Sequence, residues 1–433
     1  MKVYMISLGC NKNKVDSEMI LGAIKNEIDL IDRPAAADLI IINTCAFIES
    51  ARKEAIDTIL EVSDYKKKGA KLVVCGCLSQ RYKDELINLL PEVDRFITID
   101  EYNDITNIIS SVCNSNFKIK EEFSPLNRIY STENYMRYVK ISDGCLNRCA
   151  FCAIPLIRGK LKSRTIEDIV SEIKNHIKDG VYEINLISQD TTKYGFDLYK
   201  KLALIDLLKE IVKIDGDYKI RLLYLYPEIV TDELIEFIKN EPKMMHYFDI
   251  PIQHSETKIL KKMLRRSDKD ILNNLFHKIR NEISDAIIRT TIIVGFPYEE
   301  ENDISNLLEF MLDIKFDRLG CFTFSLEEGT KAMEYPNIIS DSEKQNRYDK
   351  VMSLQKEIAN ENNKKYLNQV LDDCFIIGYD EQSYMYVARN YMFAPDDIDG
   401  YIYVAAKKEL NLGDRVSVKV LDYDDYNLTG EMI

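Results

Sequence analysis

Three cysteines within eight residues constrain this chain more than any other feature. Gly144-Cys145-Leu146-Asn147-Arg148-Cys149-Ala150-Phe151-Cys152 is a C-x3-C-x2-C loop, and it follows an apolar run at 137–142 that reads as a strand. A fold that carries it must present three thiols together just past a strand end. Thiolates are the usual ligands of iron–sulfur clusters. Three of them hold three irons of a [4Fe–4S] cube and leave the fourth iron open to a small molecule. S-adenosylmethionine matches such an iron: bound there and given an electron, it is split to a carbon radical. Phe151, an aromatic beside the last thiol, would shield the cluster from water.

Other uses of the three thiols fit less well. Structural zinc takes four ligands, and the next histidine along the chain is His176. A disulfide would leave one thiol over and suits an oxidising compartment. Burial as three small hydrophobes is the remaining alternative.

The surrounding sequence alternates strand-like and helix-like segments. In residues 1–115, apolar strands are expected at 3–8, 39–43, 71–75 and 96–99, with helices at 16–28, 49–62 and 80–90. That alternation predicts a Rossmann-like parallel sheet with helices on its faces. Residues 116–135 are polar and irregular and read as a linker. From 136 to 366 the alternation resumes, with strands expected at 137–142, 183–188, 219–226, 246–252, 287–294 and 318–325. Six such units predict a partial (α/β)6 barrel, open on one side, with its active groups at the strand C-termini. A long helix at 341–364 leads out of it. Residues 367–433 hold five short strands separated by turns such as Pro395-Asp396-Asp397, which predicts a small antiparallel β-barrel.

Three further cysteines share a context. Cys10, Cys45 and Cys77 each follow one of the first three strands. In open α/β sheets ligands bind beyond the carboxyl ends of the strands, and helix N-termini there favour thiolate. A second three-cysteine cluster is therefore expected. Cys75, Cys113, Cys321 and Cys374 read as core or surface residues without a cluster role.

Formal charge is −14 over 433 residues. It is unevenly spread: residues 368–433 carry 13 Asp and Glu against 5 Lys and Arg. An acidic end suits a basic partner and repels a phosphate backbone. No apolar run is long enough to span a bilayer, and the first residues lack a signal-peptide pattern. A cytoplasmic protein with no membrane partner is the expectation.

The motifs together resemble a known family. Ser7-Leu8-Gly9-Cys10-Asn11-Lys12-Asn13, Val15-Asp16-Ser17-Glu18, Asn43-Thr44-Cys45, Gly76-Cys77-Leu78, the Cys145 loop, Ile154-Pro155 and Arg158-Gly159 are similar to those of the radical-SAM methylthiotransferases. The likeness runs nearly the whole chain. It is closest to the branch that modifies an aspartate of ribosomal small-subunit protein twelve, through Ser188-Gln189-Asp190-Thr191-Thr192-Lys193-Tyr194-Gly195 and Ala394-Pro395-Asp396-Asp397-Ile398-Asp399-Gly400. Asn11 departs from that branch's usual proline, and asparagine also suits a turn. The C-terminal barrel resembles a TRAM domain.

The resemblance implies two [4Fe–4S] clusters, one on Cys145, Cys149 and Cys152 and an auxiliary one on Cys10, Cys45 and Cys77. Cys77 matches the family position better than Cys75. Two S-adenosylmethionine molecules would be used, one to methylate sulfur at the auxiliary site and one as radical source. The radical would take a hydrogen from the aspartate β-carbon, which then receives the methylthio group. A low-potential donor such as flavodoxin or ferredoxin would supply the electron. Gln189 and Asp190, past the second barrel strand, either touch the cofactor or are solvated loop residues. Arg221, in an otherwise apolar strand, either pairs with the cofactor carboxylate or forms a structural ion pair. The rival within the family acts on a modified adenosine of tRNA, which the acidic end disfavours. A non-catalytic metal module would need four closed ligands and a basic barrel.

Overall fold

The computed structural model describes residues 1–115, 117, 121–336, 339–395 and 398–433. The first 98 residues form a parallel sheet in the order Asp29–Leu30, Lys2–Ser7, Leu39–Thr44, Lys71–Gly76, Arg95–Ile97. Leu39–Thr44 lies at its centre, buried at every position, as a strand covered on both faces requires. Asp29–Leu30 was not foreseen. It is two residues long and exposed, too short to show a period. The first helix starts earlier than its apolar pattern suggests, at Asn11. Its first turn is polar yet buried, because it faces the rest of the molecule rather than water.

Six parallel strands make the second sheet, in chain order: Met136–Lys140, Glu183–Ile187, Lys219–Leu222, Met244–Asp249, Ile287–Val294 and Arg318–Thr323. Among the described residues the first and last are not paired, so the barrel is open. Alternation sets its layers. Ile184, Leu186, Ile220 and Leu222 pack outward on helices such as Ile166–Lys178 and Leu204–Ile211. Glu183, Asn185, Arg221 and Tyr247 face the other way. The run expected as one strand at 137–142 is split. After Lys140 the chain leaves the sheet and forms a short antiparallel ribbon, Ser142–Asp143 with Lys162–Ser163. That ribbon closes the base of the cysteine loop.

Residues from Val370 close into a five-stranded barrel. Four of its pairings are antiparallel; that of Ile402–Ala405 with Leu428–Met432 is parallel. It seals the N-terminal ends of the six parallel strands, opposite the cysteine loop. Buried Arg389 meets Glu183, the first residue of its strand, at 2.9 Å, and Phe375 stacks on Tyr135 at 4.3 Å. Asp396 and Asp397 of the expected turn lie outside the described residues.

The N-terminal domain bridges the open side at the other end. Lys140 of the first barrel strand pairs with Asp16. Just past the last strand, Glu327 takes Arg52 and Arg81. The linker is more than a tether: its Arg128 is buried and joins Glu18 at 2.5 Å to Glu172 at 2.8 Å, one from each domain. No helix is long and apolar enough to cross a membrane among the described residues.

Candidate functional site

The thiols of Cys10, Cys45 and Cys77 are gathered by topology. The strands preceding Cys10, Cys45 and Cys77 are neighbours in the sheet, so their C-terminal loops are neighbours too. Cys10 caps the helix Asn11–Ile24 and Cys77 opens the helix Cys77–Leu89. Asn13 ties the loops together. Its Nδ2 donates to the carbonyls of Leu8 and Thr44 at 3.0 and 2.9 Å, and its Oδ1 lies 3.6 Å from the Cys77 Sγ. Gly9 leaves no room for a Cβ, which would stand 2.6 Å from that of Cys45. Cys45 and Cys77 are buried and Cys10 is exposed. Cys75 belongs to a different core, with Val3, Ile41 and Tyr102, whereas Cys77 packs with Ala46 and Leu78.

The Cys145 loop is irregular, so its shape is set by outside partners. Cys145 N donates to the Gly159 carbonyl at 3.2 Å. Ala150 N reaches Met263 O at 2.9 Å, and Ala150 O accepts from Ala332 N at 2.8 Å. Phe151 packs into the small cluster formed by Ala150, Met263, Phe296 and Ala332. Gln189 and Asp190 both hold the loop. Asp190 accepts from Asn147 Nδ2 at 2.7 Å, and Gln189 Nε2 donates to Asp143 at 2.9 Å. Lys193 reaches the other side of the Asn147 amide. Arg221 takes up the ion-pair alternative: it meets Glu183 at 3.1 Å and the Tyr391 carbonyl at 2.9 Å, beside the C-terminal barrel.

The donor set fits iron–sulfur chemistry. Burial, with Cys77 adding to it, pushes the Cys45 thiol up to about 12. Burial likewise lifts Cys145 to about 11 and raises Cys152 and Cys77, the last against the pull of Arg158. Such thiols become thiolates readily only when bound cations repay the desolvation. Among the described residues no three His, Cys, Asp or Glu side chains close on a single metal ion.

The geometry adds residues that the sequence offered without a role. Arg265 is buried over the Tyr226 ring at 3.8 Å, and the Tyr226 hydroxyl lies 3.5 Å from Cys149. Arg158, part of the Arg158-Gly159 motif, stands between the two thiol trios. Asp143 and Lys140 join it there. Burial alone would raise the Asp143 carboxyl, but Lys140 and Arg158 hold it well below the usual range. A charged residue flanking a cysteine loop was the available signal. Its partners on the first helix, Asp16 and Asn13, were not, because they lie more than a hundred residues away in the chain.

Comparison with known proteins agrees with this architecture. Residues 2–98 match the uncharacterized protein family UPF0004, residues 139–311 the radical SAM superfamily and residues 372–433 the TRAM domain. Among solved structures, the radical S-adenosylmethionine methyltransferase TsrM of Kitasatospora setae, with cobalamin and a [4Fe–4S] cluster bound, aligns with a TM-score of 0.55 at 13% identity, covering 74% of each chain. A cobalamin-dependent S-adenosylmethionine radical enzyme, OxsB, aligns at 0.51 and 12%, covering 80% of this chain and 56% of its own. At that identity they speak for the fold alone. Curated relatives are nearer. The ribosomal protein uS12 methylthiotransferase RimO of Acetivibrio thermocellus is 45% identical, covering 100% of this chain and 98% of its own. Its namesake in Caldicellulosiruptor saccharolyticus is 44% identical and covers both chains fully. With that identity along its whole length, the chain belongs to the RimO family of radical-SAM methylthiotransferases.

Proposed function

We propose that this protein adds a methylthio group to the β-carbon of an aspartate in ribosomal protein uS12, using two S-adenosylmethionine molecules and two [4Fe–4S] clusters. The observation that carries the reading is the pair of three-thiol sites, one on each side of the boundary between the first two domains. Cys145, Cys149 and Cys152 would hold the radical cluster, and Cys10, Cys45 and Cys77 the auxiliary one. When bound, the clusters and cofactor supply a carbon radical and a methylated sulfur, which a C–H bond too weakly acidic for side-chain bases requires. The chain's own residues set the geometry. Asp190, Asn147 and Lys193 fix the loop between the first two radical-cluster thiols. Phe151 and its apolar neighbours keep water from the third. A low-potential carrier such as flavodoxin or ferredoxin would deliver the electron, in the cytoplasm.

The acidic C-terminal domain supports a basic protein substrate over tRNA, although fewer acids are free than the composition suggests. Asp424 folds its own turn by accepting from Tyr426 and Asn427, Asp425 pairs with Lys356 at 3.0 Å, and Asp399 is buried against Arg289 at 3.3 Å. Glu381, Glu409, Asp422 and Glu431 remain exposed.

Anaerobically reconstituted protein should hold about eight irons, four per cluster. Replacing Cys145, Cys149 and Cys152 by Ala should leave about half. Four irons or fewer in the unaltered protein would sink the two-cluster reading. Mass spectrometry after turnover with uS12 and with modified tRNA decides the substrate. A methylthio group on the tRNA alone would leave only the family assignment.

A further inference from the structure

We propose that Arg158 is a positioning residue that couples the two thiol sites, so that cleavage of S-adenosylmethionine at one leads to sulfur transfer at the other. The inference rests on the two-cluster reading above. Arg158 is the one guanidinium that the described hydrogen bonds connect to both sites. On the auxiliary side its Nη2 donates to Asn13 Oδ1 at 2.5 Å and lies 3.7 Å from the Cys77 Sγ. Asn13 in turn holds the loops leading to Cys10 and Cys45. On the radical side Nη1 donates to Asp143 Oδ2 at 3.0 Å, two residues before Cys145. The same nitrogen reaches Asp16 Oδ2 at 2.7 Å, on the helix that Cys10 caps.

The fork is locked from outside. Lys140 pairs with both Asp16 and Asp143, and the Gly144 amide and Gln189 Nε2 both donate to Asp143 Oδ1, each at 2.9 Å. The Arg158 side chain is 2% exposed. A charge so desolvated interacts strongly with its neighbours, and a planar guanidinium that donates from both terminal nitrogens, Nη1 to Asp16 and Asp143 and Nη2 to Asn13, fixes direction as well as distance. A lysine keeps the charge but loses the fork. Two consequences follow. The fork sets the separation of the sites, which decides whether a radical made at one meets sulfur held at the other. Its charge beside Cys77 also makes the auxiliary cluster easier to reduce.

The test uses the holoenzyme with uS12 as substrate. Iron count and cluster spectra of the unaltered protein come first; a single cluster there defeats the two-cluster reading and the coupling with it, whereas two clusters with an unchanged variant defeat the coupling alone. With two clusters established, Arg158→Lys and Arg158→Gln are compared for methylthio groups formed per 5′-deoxyadenosine released. That ratio should fall at least tenfold in both. The auxiliary cluster's reduction potential should become more negative in Arg158→Gln and stay closer to the unaltered value in Arg158→Lys. Should Arg158→Gln fail to fold, Asp16→Asn cuts one arm of the network and should lower the ratio by a smaller factor. Lys160→Gln, an exposed neighbour, is the control and should change neither. An unchanged ratio with an unmoved potential would overturn the proposal and leave Arg158 a structural ion-pair partner.

Discussion

The two thiol sites are built in opposite ways. Cys10, Cys45 and Cys77 are scattered over 68 residues and meet because three parallel strands are adjacent. Cys145, Cys149 and Cys152 are close in sequence, yet their loop has no regular structure of its own. Its shape comes from Gly159, Met263, Ala332 and Asp190. A site assembled from loops inherits its geometry from the sheet. A site contained in one loop borrows its geometry from distant partners. The first should fail when a strand end is disturbed, the second when its clasp is.

Two glycines separate these failure modes with the largest expected effect. Gly76 sits at φ +93°, and a Cβ there would stand 2.2 Å from Asn43 Oδ1 and 2.5 Å from the Thr44 carbonyl. Gly144 sits at φ +71°, with a Cβ position 2.2 Å from the Lys160 carbonyl. Backbone cannot yield as a side chain can, and the left-handed conformation adds strain. Gly76→Ala should empty the auxiliary site and leave about half the iron, with the radical cluster's signal intact. Gly144→Ala should do the reverse. Cluster-specific Mössbauer or EPR spectra after reconstitution check both. Loss of both clusters from either variant would show that the sites fold as one unit.

A smaller effect tests what holds the two halves in register. Burial would raise Glu172, but Arg164, His176 and Arg128 bring it down to about 2, against an ordinary 4.5. A depressed carboxyl stabilises the fold above its unfolded value and loses that contribution as pH falls through the folded one. The window therefore runs from about 4.5 down to about 2, and the amount lost is about 3 kcal/mol by the free energy of a pKa shift. Urea midpoints of the metal-free chain should drop across that window. Glu172→Gln should lower the midpoint at neutral pH and flatten the acid limb. An acid limb as steep as that of the unaltered chain would place the sensitive group elsewhere.

These differences also explain what could be read in advance. The C-x3-C-x2-C spacing is a local signal, and it located the Cys145 loop directly. The auxiliary trio was legible only through strand order, since each thiol follows a run such as Leu39–Thr44 whose continuous apolar character marks a buried parallel strand. Gln189 and Asp190 were located, but their hold on the cysteine loop was not visible, because Asn147 and Asp143 lie more than forty residues away. Arg221 illustrates a harder case. An arginine in an apolar strand looks the same whether its partner is a ligand or Glu183. Only the C-terminal barrel, arriving some 170 residues later with the Tyr391 carbonyl, decides it. The buried Arg128 shows the same limit: polar, irregular sequence reads as solvated linker until two distant glutamates are seen to close on it.

The smallest predicted effect distinguishes two cysteines that are nearly adjacent. Alternation along Lys71–Gly76 turns Cys75 toward Val73, Ile97 and Tyr102, under the first helix. Cys77 lies beyond the strand end, at the start of the next helix, beside Asn13 and Arg158. Burial pushes the Cys75 thiol up to about 12, so it rests as a neutral, fully buried group. Cys75→Ala removes one sulfur from a packed core and should cost about 1 kcal/mol through lost packing. Iron content and methylthio transfer should stay near those of the unaltered chain. Cys77→Ala should instead lose the auxiliary cluster's iron while keeping cofactor cleavage at the radical site. If Cys75→Ala empties that site and Cys77→Ala does not, then the strand ends sooner than its hydrogen bonds indicate, and the auxiliary site is built one turn of the pleat earlier than the sheet places it.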